Sequence, residues 1–247
     1  VSLLTDQAHT GNGLVFTLGR GTDLCVSAVR AHARFVVGRS LESIVQDMSG
    51  FWREMTGESQ LRWLGPEKGV IHMAAAAIIN AVWDLWAKTE RKPLWQLLCD
   101  LSSEELVACI DFRYLGDALT RTDAIELLRG REAQADQRRK QLLAEGYPAY
   151  TTSAGWLGYD DDELRRRCRQ AVADGWGAFK LKVGANIDQD RHRLAVVREE
   201  IGDQRALMVD ANQVWEVDEA IEWIKQLSEF RLVWIEEPTS PDDILGH

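Results

Sequence analysis

Apolar residues recur every three or four positions through most of the first hundred residues, and this spacing is typical of amphipathic helices. It predicts helices over residues 23–37, 41–55 and 70–88, and Pro93 starts a further short helix. Ser40 is the expected amino-terminal cap of the second helix. Because the 70–88 segment is small or apolar around nearly its whole circumference, we expect most of it to be buried.

One segment ahead of these helices, residues 11–20 (GNGLVFTLGR), has the pattern of a single strand between turn residues. A lone strand is not stable in water. We therefore expect that partner strands are missing before it.

The pattern changes near Glu105. Two β-like segments, 106–114 and 147–153, flank a charged helical segment at 122–144. Helices and strands then alternate, with predicted helices at 161–175, 188–201 and 217–230 and predicted strands at 179–183, 206–210 and 232–235. This alternation predicts an α/β fold with a parallel sheet and crossover helices.

Polar side chains end three consecutive predicted strands. They are Lys180 and Lys182, then Asp210 and Asn212, then Glu236 and Glu237. Lys182 and Asp210 are 28 residues apart and Asp210 and Glu236 are 26 apart, about one βα unit in each case. Each pair alone has a structural explanation, as solvated edge lysines, a helix cap or a turn. The carboxyl ends of parallel strands converge on ligand sites. Because all three pairs occupy this same position in successive strands, they favour a functional site.

The residue types at these strand ends predict a hard-cation site. Carboxylates that converge from neighbouring strands repel each other unless a cation lies between them. Asp210 and Glu236 would supply oxygen ligands to Mg²⁺, although the strand pleat leaves open whether Glu236 or Glu237 faces inward. The metal would hold a substrate carboxylate and stabilise the enediolate that forms when the adjacent carbon loses a proton.

The lysines complete this chemistry. Side chains two positions apart on a strand share a face, so Lys180 and Lys182 point the same way. Lys182 would remove the proton, and Lys180 would lower the pKa of Lys182 and bind a carboxylate oxygen. Asn212 shares a face with Asp210, so we expect its amide to reach the substrate or the lysines.

Composition narrows the function classes. Acidic side chains outnumber basic ones by 39 to 29, and a net charge of −10 argues against nucleic-acid binding. No unbroken apolar run reaches the roughly 18 residues of a membrane helix, and no secretory signal opens the chain. Glycine-rich phosphate loops are absent, which argues against nucleotide binding. Four scattered cysteines without a CxxC pair predict buried free thiols in a cytoplasmic protein.

Several segments together resemble a known family. FKLKVG, VDAN and WIEEP, in this order and spacing, resemble the enolase superfamily and its mandelate racemase-like branch. RWLGPEKGV, AVWDLWAK, YPAYTTSAGWLGY and IEEPTSPDDILGH are similar to L-fuconate dehydratases, which are acid-sugar dehydratases of that superfamily. The resemblance covers nearly the whole chain.

The resemblance implies an architecture and an activity. Residues 106–247 would form about the first half of a (β/α)8 TIM-type barrel, and residues 1–105 an incomplete α+β capping domain without its first strands. Lys182 would be the base with Lys180 beside it, Asp210 and Glu236 would bind Mg²⁺, and Asn212 and Lys180 would contact the substrate. The enzyme would be a hydro-lyase that converts a small-molecule sugar acid resembling L-fuconate to a 2-keto-3-deoxy acid, and the resemblance is compatible with a homo-oligomer.

The resemblance also implies parts beyond the last residue. A third acidic ligand, and a catalytic His with an Asp partner, would follow His247, which is itself more typical of a helix start. We therefore expect the 247-residue chain alone to be inactive. Another acid-sugar dehydratase, a racemase of the same superfamily, an inactive fragment and a non-catalytic interaction module remain alternatives.

Overall fold

The computed structural model describes residues 1–17, 19–64 and 69–246. The expected helix start at His247 and the centre of the RWLGPEKGV segment lie outside these residues. The chain divides into two compact units, Val1–Ala144 and Glu145–His247. The first unit extends beyond residue 105, and the domain boundary predicted there stays a prediction.

The first unit opens with a short antiparallel hairpin. Strands β1 (Ser2–Leu4) and β2 (Thr10–Asn12) pair with Leu3 opposite Gly11. The predicted strand over residues 11–20 is therefore wrong in extent, and its start does have a partner in β1. The pairing ends at Gly13, whose N–H donates to the Val1 carbonyl at 3.0 Å.

Eight α-helices follow in the described part of the first unit. They are α1 (Thr22–His32), α2 (Leu41–Val45), α3 (Met48–Thr56), α4 (Val70–Thr89), α5 (Leu94–Asp100), α6 (Ser103–Ala108), α7 (Arg121–Glu132) and α8 (Ala135–Glu145). Helix α4 is the centre of this unit and packs against α1 and the hairpin. Its buried alanines, among them Ala74 and Ala81, allow this close approach.

Helix α4 is also long and apolar enough to cross a membrane by length and composition. The predicted absence of an unbroken apolar run of about 18 residues is a separate matter, since Asn80 and Asp84 interrupt this helix. Half of its apolar stretch is buried inside the protein, as in the core helix of a globular unit. Asp84 accepts hydrogen bonds from Lys88 and from the Asn12 amide.

Two predictions for the first unit fail for local reasons. The single helix expected over 41–55 is two helices, because Asp47 caps a new one by accepting from the Gly50 amide at 3.0 Å. The strand expected over 106–114 is instead α6 followed by turns. Ser102 and Glu105 form a capping box that starts α6 and was not recognised in the sequence.

The second unit alternates helices and parallel strands as predicted. Its elements are α9 (Asp161–Ala173), β3 (Ala178–Lys182), α10 (Ile187–Ile201), β4 (Ala206–Asp210), α11 (Val217–Leu227) and β5 (Ile235–Glu236). The strand order is β3-β4-β5, with Lys182 opposite Asp210 and Asp210 opposite Glu236. Closure of this sheet into a barrel stays a prediction.

Thr151 forms a single parallel bridge to Phe179, so the β-like segment expected at 147–153 is reduced to one paired residue. Phe179 and Leu181 of β3 are fully buried, in a core shared with the helices. The four cysteines are free, as predicted. Only Cys25 and Cys168 are buried, since Cys109 is half-buried and Cys99 is exposed.

Candidate functional site

The carboxyl end of β3 presents two lysines to one carboxylate. Lys182 Nζ donates to Asp210 Oδ2 at 2.6 Å, and Lys180 Nζ lies 3.1 Å from the same oxygen. Both lysines share the face opposite Phe179 and Leu181, as the period of a strand requires. Asp210 is almost completely buried, with 2% of its side chain exposed.

Strand β5 adds the second carboxylate. Lys180 Nζ donates to Glu236 Oε2 at 2.6 Å, so Lys180 lies between Asp210 and Glu236. Two ammonium groups thus face two carboxylates, and we call Lys180, Lys182, Asp210 and Glu236 the quartet. The attraction between the two ammonium groups and the two carboxylates offsets part of the free-energy cost of removing these groups from water.

Glu237 and Asn212 lie outside the quartet. Both have left-handed backbone, with φ of 49° and 51°, and the Asn212 side chain donates to the Glu237 carboxylate at 3.3 Å. Glu236 is therefore the carboxylate that faces the lysines. The Asn212 amide does not reach the lysines, because β4 ends at Asp210 and strand alternation stops there, and its contact with a substrate stays a prediction. The Asn212 backbone N–H instead donates to Asp210 at 3.0 Å.

Hydrogen bonds and opposite charges keep Lys180 and Asp210 in their charged forms. Burial alone would lower the pKa of Lys180, but hydrogen bonds to Glu236, Asp210 and the Tyr150 side chain raise it above its usual value. Burial alone would raise the pKa of Asp210, but bonds from Lys182, Lys180 and the Asn212 amide lower it.

Aromatic rings flank both lysines. Lys180 Nζ lies 5.0 Å from the centre of the Tyr150 ring, and Lys182 Nζ lies 5.9 Å from that of Trp156. These two aromatics were not singled out in the sequence as site residues. The bridge between Thr151 and Phe179, which aligns their segment with β3, has only a weak sequence signal.

The two carboxylates of the quartet, Asp210 and Glu236, carry oxygens of the type that binds a hard cation. Asp210 and Glu236 are register neighbours, and both reach the same ammonium group, so their oxygens converge. Such a donor set suits Mg²⁺. Among the described residues, no group of three or more His, Cys, Asp or Glu side chains could hold a metal, so the fit rests on two carboxylates.

Comparison with family models matches both parts of the chain. Residues 1–99 match the mandelate racemase / muconate lactonizing enzyme N-terminal domain. Residues 163–247 match the enolase C-terminal domain-like family. The second range contains the whole quartet.

Curated relatives are similar along nearly the entire chain. Mitochondrial enolase superfamily member 1 of Homo sapiens is 56% identical over 237 residues, which are 96% of this chain and 54% of the relative. L-galactonate dehydratase of Hypocrea jecorina is 52% identical over 248 residues, which are 99% of this chain and 55% of the relative. The chain therefore spans about half the length of these relatives.

Solved structures agree with this similarity. The crystal structure of the human protein has a TM-score of 0.95 and 55% identity, over 98% of this chain and 55% of that one. L-talarate/galactarate dehydratase from Salmonella typhimurium, liganded with Mg and L-lyxarohydroxamate, has a TM-score of 0.65 and 27% identity, over 96% and 49%. These likenesses support an α/β fold with an N-terminal cap and a C-terminal domain.

Proposed function

Because the chain belongs to the enolase and mandelate racemase superfamily, with matches to its N-terminal and C-terminal domains, we propose that it carries the lysine side of a sugar-acid dehydratase active site. The observation that carries the proposal is the quartet at the carboxyl ends of β3, β4 and β5. The dehydratases among the relatives support a hydro-lyase that acts on a small sugar acid. L-fuconate and L-galactonate are the two substrates we expect first.

The two lysines have different roles in this proposal. Lys182 is the more accessible, with 19% of its side chain exposed against 7% for Lys180, and it meets one carboxylate rather than two. A base must reach the substrate carbon and give up its own proton first. Lys182 therefore removes the proton next to the substrate carboxylate. Lys180, whose pKa is raised, stays an ammonium ion and binds a carboxylate oxygen.

Asp210 and Glu236 are the proposed Mg²⁺ ligands. When bound, Mg²⁺ polarises the substrate carboxylate and makes the adjacent C–H more acidic. Asp210 is held in place for this by three hydrogen bonds, from Lys182, Lys180 and the Asn212 amide. Such fixed groups lower the barrier because they do not need to reorganise during the reaction.

The test is product formation by the intact protein, which here means the protein expressed from its complete reading frame. With Mg²⁺, L-fuconate or L-galactonate should give a 2-keto-3-deoxy acid, which is visible by proton NMR. Lys182→Ala should lower kcat by at least about 100-fold, since positioned general bases contribute 10²–10⁴. Lys225→Ala is the matched control, because Lys225 is an exposed lysine paired with Glu222 on α11, and it should leave kcat unchanged.

The same samples in D₂O separate the alternatives. A racemase would exchange the C2 proton for deuterium without forming a 2-keto acid, and this exchange would also depend on Lys182. If the intact protein shows neither exchange nor 2-keto acid with any acid sugar, the enzyme proposal is wrong. A non-catalytic role or an inactive remnant would then be favoured.

A further inference from the structure

A buried arginine of α10 contacts the lysine-bearing end of β3. The Arg193 guanidinium donates to three backbone carbonyls, those of Lys182 at 2.6 Å, Trp156 at 2.9 Å and Gly155 at 3.1 Å. Only 9% of Arg193 is exposed. Its Nε has no acceptor among the described residues. All the hydrogen bonds described for this side chain are therefore to backbone carbonyls.

These carbonyls join the two segments that border the lysines. Gly155 also accepts from the Lys182 N–H at 2.9 Å, so the 151–156 segment and β3 meet at this point. A Cβ on Gly155 would overlap the Lys180 carbonyl, so this close approach requires glycine. Trp156, the next residue, places its half-exposed ring beside the Lys182 ammonium.

A second group on α10 fixes the turn that follows β3. Asp190 lies one helical turn before Arg193 and accepts from the Gly184 N–H at 2.7 Å and from Trp223 Nε1 at 3.2 Å. Gly184 has a φ of 107°, which glycine adopts without strain. The charge of Asp190 also favours the charged form of Arg193, which burial opposes. The Lys182 carbonyl and the turn that follows it are thus both attached to one helix.

We propose that Arg193 is a positioning residue that holds Lys182 and Trp156 in one fixed arrangement, so that the Trp156 ring forms the substrate-facing wall beside the base. Arg193 does not touch the substrate and acts through the carbonyls it binds. The proposal rests on the proposed function in its assignment of Lys182 as the base. The geometry of the two segments can be tested separately.

The chain offers a matched control on the same helix. Arg198 also donates to three backbone carbonyls, those of Gly202, Arg205 and Phe230, at 2.7–3.1 Å. Its Nε likewise lacks an acceptor among the described residues. Its partners precede β4 and β5, at the strand ends opposite the quartet. Loss of Arg198 should therefore match the structural cost of losing Arg193 without affecting the site.

The first experiment is amide hydrogen exchange, read by mass spectrometry on the intact protein. Arg193→Met should accelerate exchange at least tenfold in peptides that cover residues 153–158 and 181–185. Arg198→Met should accelerate exchange at 202–207 and 230–234 and leave the first two peptides unchanged. Arg193→Lys and Arg198→Lys, which keep one charged donor each, provide the same comparison if a methionine variant does not fold.

The second experiment is kinetic. Arg193→Lys should lower kcat more than tenfold and change KM less than twofold, because Lys182 moves relative to the substrate carbon. Arg198→Lys should change the melting temperature and leave both kcat and KM unchanged. Equal exchange in the 153–158 and 181–185 peptides for both variants, or an unchanged kcat in Arg193→Lys, would overturn the proposal. If the unmodified protein turns over no acid sugar, the proposed function fails, and hydrogen exchange still decides whether Arg193 positions these segments.

Discussion

Lys180 and Lys182 differ in how many carboxylates each one meets. Lys180 lies between Asp210 and Glu236, whereas Lys182 meets Asp210 alone. A buried charge that loses its partner is costly, because neither water nor another ion replaces the lost interaction. Lys180 therefore contributes to the stability of the sheet, whereas Lys182 is the lysine that the proposed function uses as the base.

Removal of Lys180 should accordingly destabilise the protein more than removal of Lys182. We expect Lys180→Met to lower the free energy of unfolding by about 3 kcal/mol, because it leaves Asp210 and Glu236 facing each other with one fewer cation. Lys182→Met should cost less, since Lys182 is more exposed. Urea unfolding at neutral pH without added metal measures both. A larger loss for Lys182→Met would contradict this account of the quartet.

Two helices, α9 and α2, begin at side chains that cap their first turn. Asp160 caps α9 by accepting from the Glu163 amide at 2.8 Å, and Ser40 caps α2 through the Ser43 amide at 3.2 Å. Each cap satisfies an amide that has no partner inside its helix. The Ser40 cap was expected from the sequence, because the capping interaction is local and depends on residues only three positions apart.

The α9 cap gives a prediction for this element. Asp160→Ala should lower the free energy of unfolding by about 1 kcal/mol through loss of the cap. Asp162→Ala is the matched control, because Asp162 lies in the same first turn but supplies only its charge, and it should cost about 0.3 kcal/mol. Urea unfolding of the two variants measures the difference. Equal losses would show that charge near the helix end, rather than the hydrogen bond, stabilises α9.

The parallel sheet could be predicted because its signals are local and repeated. Each strand of the 178–236 region is a short apolar run between helical segments, and Lys182, Asp210 and Glu236 fall at the same phase. The structure places these three residues opposite one another in register. The proposed roles of these residues stay predictions.

Other features could not be predicted because they depend on contacts distant in sequence or on single backbone angles. Val107 lies in a run that alternates like a strand, yet the capping box at Ser102 makes it helical. Asn212 turns away from the lysines because its φ is positive. Tyr150 and Trp156 reach the lysines because their segment pairs with β3 at Thr151 and at Gly155.

The molecule as a whole carries a net charge of −10, and many of its carboxylates are stabilised by hydrogen bonds. Arg166 and Arg167 lower the pKa of Glu163 to about 2. The pKa values of Asp111 and Glu200 are lowered by bonds from Arg53 and Arg169, which outweigh the opposing effect of burial. Asp190 is an exception, since burial raises its pKa.

These shifts predict acid sensitivity. A carboxylate whose pKa is lower in the folded state stabilises the fold above its ordinary pKa, near 4, and this contribution is lost as pH falls toward 2. The lowered groups outnumber Asp190 among the described residues, so the urea midpoint should fall between pH 5 and pH 3. Glu163→Gln should reduce the fall slightly, because this exposed group is screened by solvent. A midpoint that rises on acidification would contradict the prediction.

The two arginines of α10 that bind backbone carbonyls, Arg193 and Arg198, have a consequence for protein engineering. Arg198 closes the strand ends opposite the quartet without using any residue near the lysines. Loops on the quartet side can therefore be exchanged while the segments before β4 and β5 keep their own hydrogen bonds. A library that varies residues 157–159 and retains Arg193, Gly155 and Gly184 would place its diversity next to Trp156 and leave these contacts intact.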